Sequence, residues 1–297
     1  MSTRATESHP RLGPKLIPYM FILPVILLTL LFKFIPIGIS LSLSFTDYDM
    51  LSNPRWVGLA NYAYLLSDND LFWRSLRNTA QYSLEVLPAN IIISLFLAIL
   101  VNQKLRGMAF FRTIFYLPVV TSIIAVSMIW LWIYNHQVGL LNSILDLFGL
   151  GPLEWLRNPK LSLHSLAIMR IWKGVGWNMV IYLAGLQGIP AYIYEAATID
   201  GASSWTQFRR LTWPLLRPVT YYIIVMGLIS TFQSFGEIYA MTQGGPLDST
   251  TTLGYLIYQQ AFQYWEMGKA SATAFILFGL ILALSVAQNR FASVEAE

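Results

Sequence analysis

Between Ile114 and Tyr134 the chain carries no charged side chain. About 20 such residues, wound as a helix, cross the roughly 30 Å of a bilayer's hydrocarbon. Similar apolar runs cover residues 16–43, 82–102, 165–186, 219–240 and 270–287, so six segments qualify as membrane spans. The runs are continuous rather than alternating. In lipid every backbone N–H and C=O must be satisfied internally, and continuous runs do this as helices. The expected fold class is therefore all-α, a polytopic bundle of six transmembrane helices. Lys33 interrupts the first run, and Arg170 and Lys173 interrupt the fourth. Composition agrees. Charged residues make up 11% of the chain, against about 25% in soluble domains, and mean hydropathy is +0.54. There is no cysteine, so disulfides and thiolate metal sites are excluded. His9, His136 and His164 are too dispersed for a ligand set, and no metal site is expected.

The first run is too long for a signal peptide, and no small-residue cleavage site follows it, so it reads as a retained span. Six spans place both termini on one side. With the N-terminus inside, ten basic residues fall on inner segments (Arg4, Arg11, Lys15, Lys104, Arg106, Arg112, Arg209, Arg210, Arg217, Arg290). Six fall on outer ones (Arg55, Arg74, Arg77, Arg157, Lys160, Lys269). The positive-inside rule then selects an N-in, C-in orientation. The chain divides into a cytoplasmic tail at 1–15, a first helix with an outer interfacial loop at 16–74, a transmembrane domain at 75–288 and a cytoplasmic tail at 289–297. The aromatic residues of the 46–78 segment, among them Tyr48, Trp56 and Trp73, suit the outer interface. A turn is expected at Gly244-Gly245-Pro246, with a short helix near 253–262.

Between the fourth and fifth spans the chain reads Glu195-Ala196-Ala197-Thr198-Ile199-Asp200-Gly201-Ala202 and continues through Phe208 and Leu211 to Pro214 and Pro218. Ala196 and Ala197 favour a helix, Asp200-Gly201 a turn, and Trp205 and Phe208 a second helix that Pro214 closes. A small-residue helix held between two spans fits a partner's groove. The same segment also suits an interfacial helix lying on the bilayer without a partner. From the residues alone both readings stand.

Charges inside spans are costly and usually face a bundle interior or a wet cavity. Lys33, Glu85, Arg170, Lys173 and Glu237 all fall in the outer halves of their spans under N-in topology. They mark a polar pathway or ion pairs of Glu85 or Glu237 with Lys173 or Arg170. With Trp177, Asn178, Gln233 and Tyr239 they offer stacking faces and hydrogen bonds suited to a polyhydroxylated solute. The candidate pathway set is Lys173, Trp177, Asn178, Gln233, Glu237, Tyr239 and Glu85. For Arg170 and Lys173 the competing reading is snorkelling to the headgroups.

No Gly-x-x-x-x-Gly-Lys-Ser/Thr motif occurs, so no P-loop cradles ATP, and no metalloprotease or serine-hydrolase motif appears. A catalytic role is not expected. Two other classes remain: an ion-coupled secondary carrier using Glu85 or Glu237, and a membrane scaffold that binds a soluble partner. The carrier reading predicts an inverted repeat, and none is evident.

The pattern Glu195-Ala196-Ala197, Asp200-Gly201-Ala202, Phe208, Pro214 and Pro218 resembles the loop of permease subunits in binding-protein-dependent ABC importers. It departs from that family's usual residues at Leu211 and Trp213, both apolar. The stretches 172–178, 183–190 and 107–118, and Gly244-Gly245-Pro246 with Ser249-Thr250, resemble the family's carbohydrate and glycerol-phosphate branch. The resemblance implies a type I importer fold in a bacterial inner membrane. It also implies a second, homologous permease, an extracytoplasmic solute-binding protein and two cytoplasmic ATPases that carry ATP and Mg, with no cofactor on this chain. Glu195, Ala196, Ala197, Asp200, Gly201, Ala202, Phe208 and Pro214 would then couple to the ATPase.

Overall fold

A computed structural model describes residues 17–103 and 105–294. The basic tail at 1–15, Lys104 and the last residues of the C-terminal tail lie outside the described residues. The described residues begin with α1 (Ile17–Thr29), a π turn (Leu30–Phe34) and α2 (Ile35–Leu43), which together form one long helix. The π turn stands just before Pro36, and the Ile35 N–H reaches back to the Leu30 carbonyl. A proline ring clashes with the carbonyl four residues earlier, and one extra residue in the turn relieves that clash. None of the 19–43 apolar window is buried within the chain. A Ser40–Ser271 hydrogen bond of 3.3 Å ties the end of α2 to the last helix.

A two-residue ribbon, β1 (Thr46–Asp47) against β2 (Arg55–Trp56), departs from a strictly all-α fold. It leads through α3 (Ala60–Ser67) into α4 (Asp70–Val101). Asn69 caps α4 by accepting from the Phe72 N–H at 2.9 Å. The chain continues through α5 (Met108–Val120), α6 (Ile123–Ile133) and α7 (Leu140–Leu147) to α8 (Ser162–Gln187). Then come α9 (Ala191–Ile199), α10 (Ser204–Gln207), a π turn (Phe208–Thr212), α11 (Trp213–Leu215) and α12 (Arg217–Phe232). α13 (Gly236–Met241), α14 (Leu253–Tyr258), a π turn (Gln259–Gln263) and α15 (Met267–Val294) complete the described fold.

α4 and α8 pack side by side as the bundle's axis, with α5 and α12 against them. Their shared core includes Met179, Tyr182, Leu216 and Ile223. Tyr82, Leu166, Met169 and Ile238 form a second core, and Leu65, Phe72, Leu253 and Leu256 a third.

Three sequence expectations need correction. The 114–134 run is not one straight span: α5 and α6 meet at 100° across Thr121 and Ser122, both extended. The 219–240 run also breaks, at residues 233–235, between α12 and α13. Pro214 does not close the second loop helix. It sits inside it, behind a π turn, and the bend of 61° falls at Leu216 before Pro218. By contrast α8 runs unbroken through Arg170 and Lys173, and the short helix near 253–262 is present as α14 with its π turn. Among the described residues, three helices are long and apolar enough to cross a membrane, and two bent pairs qualify when each is taken together.

Candidate functional site: a polar cavity and an exposed helix pair

The 172–178 stretch of α8 joins three helices. A Cβ at Gly176 would fall 2.0 Å from the Phe115 carbonyl oxygen, so the missing side chain is what lets α5 lie against α8. One turn earlier, Lys173 Nζ donates to the carbonyls of Pro118 at 2.8 Å, Val119 at 3.4 Å and Thr121 at 2.7 Å. These are carbonyls freed at the C-terminal end of α5, where the helix dipole also favours a cation. An ammonium has three donors, so Lys173 is fully occupied in stabilising the break. On the α4 side, Asn178 Nδ2 donates to Asn90 Oδ1 at 2.7 Å, and Asn90 Nδ2 donates to the Ile171 carbonyl at 3.2 Å.

These groups line a cavity of about 370 Å³ between α4, α5, α8 and α12. Arg170, Lys173, Asn90, Asn178 and Ser230 supply its polar wall, and half-exposed Trp177 stands at its edge. Arg170 Nη2 donates to Ser230 Oγ at 2.5 Å, and its Nε lies 3.8 Å from Glu237 Oε1. Glu237 is only 2% exposed and also accepts from the Tyr82 hydroxyl at 2.8 Å. A buried carboxyl group is costly unless it finds partners, and this one has two. The structure thus brings Lys173, Trp177 and Asn178 to one cavity and links Glu237 to it through Arg170.

It places the other pathway candidates elsewhere. Glu85 binds His164 Nδ1 at 2.9 Å and Gln81 Nε2 at 2.9 Å. Gln233 lines a separate apolar groove with Ile229, Leu277 and Phe278. Tyr239 belongs to a group of rings with Phe235, Tyr258 and Phe262. Its hydrogen bond with Tyr258 pushes the Tyr258 phenol above its ordinary value. Of the ion pairs expected from the sequence, Glu237–Arg170 is present, and Glu85 takes His164 instead.

The second element is the α9–α10 pair. α9 ends in a left-handed turn, with Gly201 at φ +74°. The Gly201 N–H bonds the Thr198 carbonyl at 3.1 Å, and the Ala202 N–H bonds that of Ala197 at 2.9 Å. This is the Schellman arrangement, which asks for glycine at that position. Ser203 caps α10. Gln207 Nε2 reaches back to Thr198 Oγ1 and the Ala202 carbonyl, both at 3.1 Å, and Tyr194 hydrogen-bonds Thr212 at 2.9 Å. These bonds hold the two helices as one unit. Glu195, Ala196, Asp200 and Gly201 face outward, Ala197, Ala202, Phe208 and Pro214 are half-buried, and Ile199 is 87% exposed. Gly185 carries the unit's position back to the bundle: its missing Cβ would meet Val219 and Leu216 within 3.0 Å.

Asn142 was not singled out from the sequence. It is 2% exposed, donates to the His136 and Leu153 carbonyls, and accepts from the Leu153 N–H and the Trp155 indole. A lone asparagine in an apolar helix carries no motif, so only the fold shows that it organises the loop between α6 and α8.

Residues 90–293 match the family described as binding-protein-dependent transport system inner membrane component. The chain is 37% identical over 267 residues to the probable ABC transporter permease protein YesP of Bacillus subtilis, covering 89% of this chain and 86% of that protein. It is 31% identical over 293 residues to the sn-glycerol-3-phosphate transport system permease protein UgpA of Salmonella typhimurium, covering 96% and 97%. Its fold is similar to a chain in the crystal structure of a bacterial alginate ABC transporter in complex with an alginate pentasaccharide-bound periplasmic protein. The TM-score there is 0.83 at 24% identity, over 95% of this chain and 97% of that one.

Proposed function

The chain belongs to the family of binding-protein-dependent transport system inner membrane components, multi-pass proteins of the bacterial inner membrane, and on that premise we propose the role it has in its own transporter. It forms half of the translocation pathway of an ATP-driven importer of sugars or sugar-like solutes, glycerol phosphates included. One observation carries the coupling role: an exposed helix pair, Schellman-turned and cross-bonded, joined directly to α8 and α12. Such a unit moves as a rigid lever. Force applied to Glu195, Ala196 and the Gly201 turn passes to the two helices that wall the polar cavity.

In this reading six spans cross the membrane with both termini inside. The three long apolar helices, the bent α5–α6 pair and α12, which passes together with Ser204–Leu215, supply five; we add α8 as the sixth, its two cations both being partnered. The α9–α10 unit then faces the cytoplasm, where two ATPase subunits bind it and hydrolyse ATP with Mg. A second permease supplies the other half of the pathway, and a solute-binding protein delivers cargo from outside. The cavity supports a polyhydroxylated or anionic cargo. Trp177 offers a stacking face, and two cations, Arg170 and Lys173, stand against one carboxylate, Glu237.

The test is reconstitution in vesicles with the ATPase and the second permease. Uptake should require ATP and binding protein. Glu195→Lys should cut it at least about tenfold, the equivalent of about 1.4 kcal/mol of lost docking, while the permease stays folded. Uptake by this chain alone under an ion gradient would overturn the proposal.

A further inference from the structure

A second cavity, about 730 Å³, lies away from the pathway, between α4 and the segment Ser204–Leu215. Its volume is in the range of small-molecule sites, roughly 300–1,000 Å³. The segment that forms its second wall meets α12 at a 61° bend at Leu216. One wall is a stripe of α4 that includes Ile92, Leu95 and Phe96. Ile92 is 67% and Phe96 60% exposed, so this wall looks into the hydrocarbon. Trp205 and Trp213 stand on the other wall, with Trp205 stacked on Phe208 at 5.6 Å.

Arg209 is the one charged group in the lining. It and Arg210 are exposed, and neither makes an ion pair among the described residues. Positive charge extends around this end of α4: Arg112 donates to the Val101 carbonyl at 2.7 Å from Nη2 and 3.3 Å from Nε. An apolar slot rimmed by tryptophans and the unpaired Arg209, with exposed Arg210 next to it in the chain, matches an amphiphile with apolar chains and an anionic head. Tryptophan settles at headgroup depth, and arginine is suited to phosphate.

We propose that this groove binds an anionic phospholipid, with an acyl chain between α4 and the Trp205–Trp213 wall and its phosphate on Arg209 and Arg210. The site rests on the reading that Ser204–Leu215 lies at the membrane surface as part of the coupling unit. The bound lipid forms a strut between that unit and α4, so anionic lipid content sets how stiffly the lever is mounted.

The experiment uses the complete transporter in phosphatidylcholine vesicles, to which brominated-chain phosphatidylglycerol or brominated-chain phosphatidylcholine is added. Bromine quenches nearby tryptophan. The difference between wild type and Trp205→Phe/Trp213→Phe isolates the groove signal from the other tryptophans. The expected result is saturable quenching with a preference of roughly five-fold per arginine for the anionic lipid. Arg209→Gln/Arg210→Gln should abolish the preference while leaving the quenching by chains. Equal quenching by both lipids would overturn the proposal and leave only annular lipid. Absence of groove quenching would also overturn it and indicate a protein covering the slot. ATP-driven uptake in the same vesicles tests the coupling reading separately. Lipid preference with no ATP-dependent uptake would sink that reading and leave the site standing.

Discussion

Replacing Gly176 by alanine is the most direct test of how α5 and α8 are joined. The added Cβ would lie 2.0 Å from the Phe115 oxygen, 2.9 Å from its carbonyl carbon and 3.1 Å from Tyr116 Cα, where ordinary contacts begin at 3.4 Å. All three atoms are backbone, so no rotamer change relieves the clash. α5 must retreat by about 1.4 Å, the shortfall of 2.0 Å from 3.4 Å, or α8 must bend. Overpacking of this kind costs about 1–3 kcal/mol. Alanine also gains about 1 kcal/mol over glycine in a helix, which would mask part of the loss. Gly279→Ala in α15 supplies the control, since nothing lies within 4 Å of its added Cβ. Both variants share the propensity gain, so the difference between them isolates the packing term. For a chain of this size about 1 kcal/mol shifts Tm by about 2–4 °C. Gly176→Ala should therefore melt about 2–12 °C below Gly279→Ala in detergent. Equal melting temperatures would refute the close helix approach as a determinant of the fold. The retreat of α5 would also draw carbonyls 118–121 away from Lys173. Gly176→Ala and Lys173→Met should therefore be non-additive.

Lys173→Met keeps the side chain's length but leaves the α5 carbonyls without their donor. Tm should fall by several degrees, reflecting about 2 kcal/mol or more for under-satisfied polar groups, and Lys173→Arg should recover part of it. Glu237→Gln keeps an acceptor for Tyr82 but leaves Arg170 without its counter-charge. Breaking a buried pair costs about 3–5 kcal/mol, and the remaining exposure of Arg170 places the expected loss at the lower end. Combining it with Arg170→Gln should restore stability in a double-mutant cycle, and simple addition of the two losses would contradict the pairing. Asn142→Ala removes four hydrogen bonds from the loop between α6 and α8, at about 1 kcal/mol each. Proteolysis should then cut residues 135–158 at least tenfold faster than in the wild type; an unchanged rate would show that another contact holds the loop. Gly201→Ala forces a Cβ into a left-handed conformation at about 1 kcal/mol. Faster hydrogen exchange in α9 would report it, and unchanged exchange would argue against the Schellman turn.

Much of this protein was legible in the sequence because two of its signals are local. Apolar run length reports membrane spans, since lipid demands about 20 residues without exposed polar groups wherever the chain crosses. The α9 turn is local too, as Asp200-Gly201 needs only its own backbone to close. Of the charges in the spans, Arg170 and Lys173 line one polar cavity and Glu237 pairs with Arg170, whereas Lys33 stays exposed on the first helix, and none of these partners was readable. Lys33, Glu85, Lys173 and Glu237 have the same signature in the string, yet the fold leaves Lys33 exposed while the other three meet different partners. Lys173 meets the end of another helix, Glu237 meets Arg170 and Tyr82, and Glu85 meets His164.

The break in the charge-free 114–134 run was hidden for the same reason. Hydropathy counts residues and is blind to backbone geometry, and Pro118 alone did not reveal a turn at Thr121. A 100° bend releases carbonyls inside the bundle, and a lysine more than fifty residues away reaches three of them. The sequence by itself determined that the chain is built of membrane helices bearing one presented loop. Tertiary structure decided where those helices break and which charges meet, because a buried polar group must find its partner in space, whatever the distance along the chain.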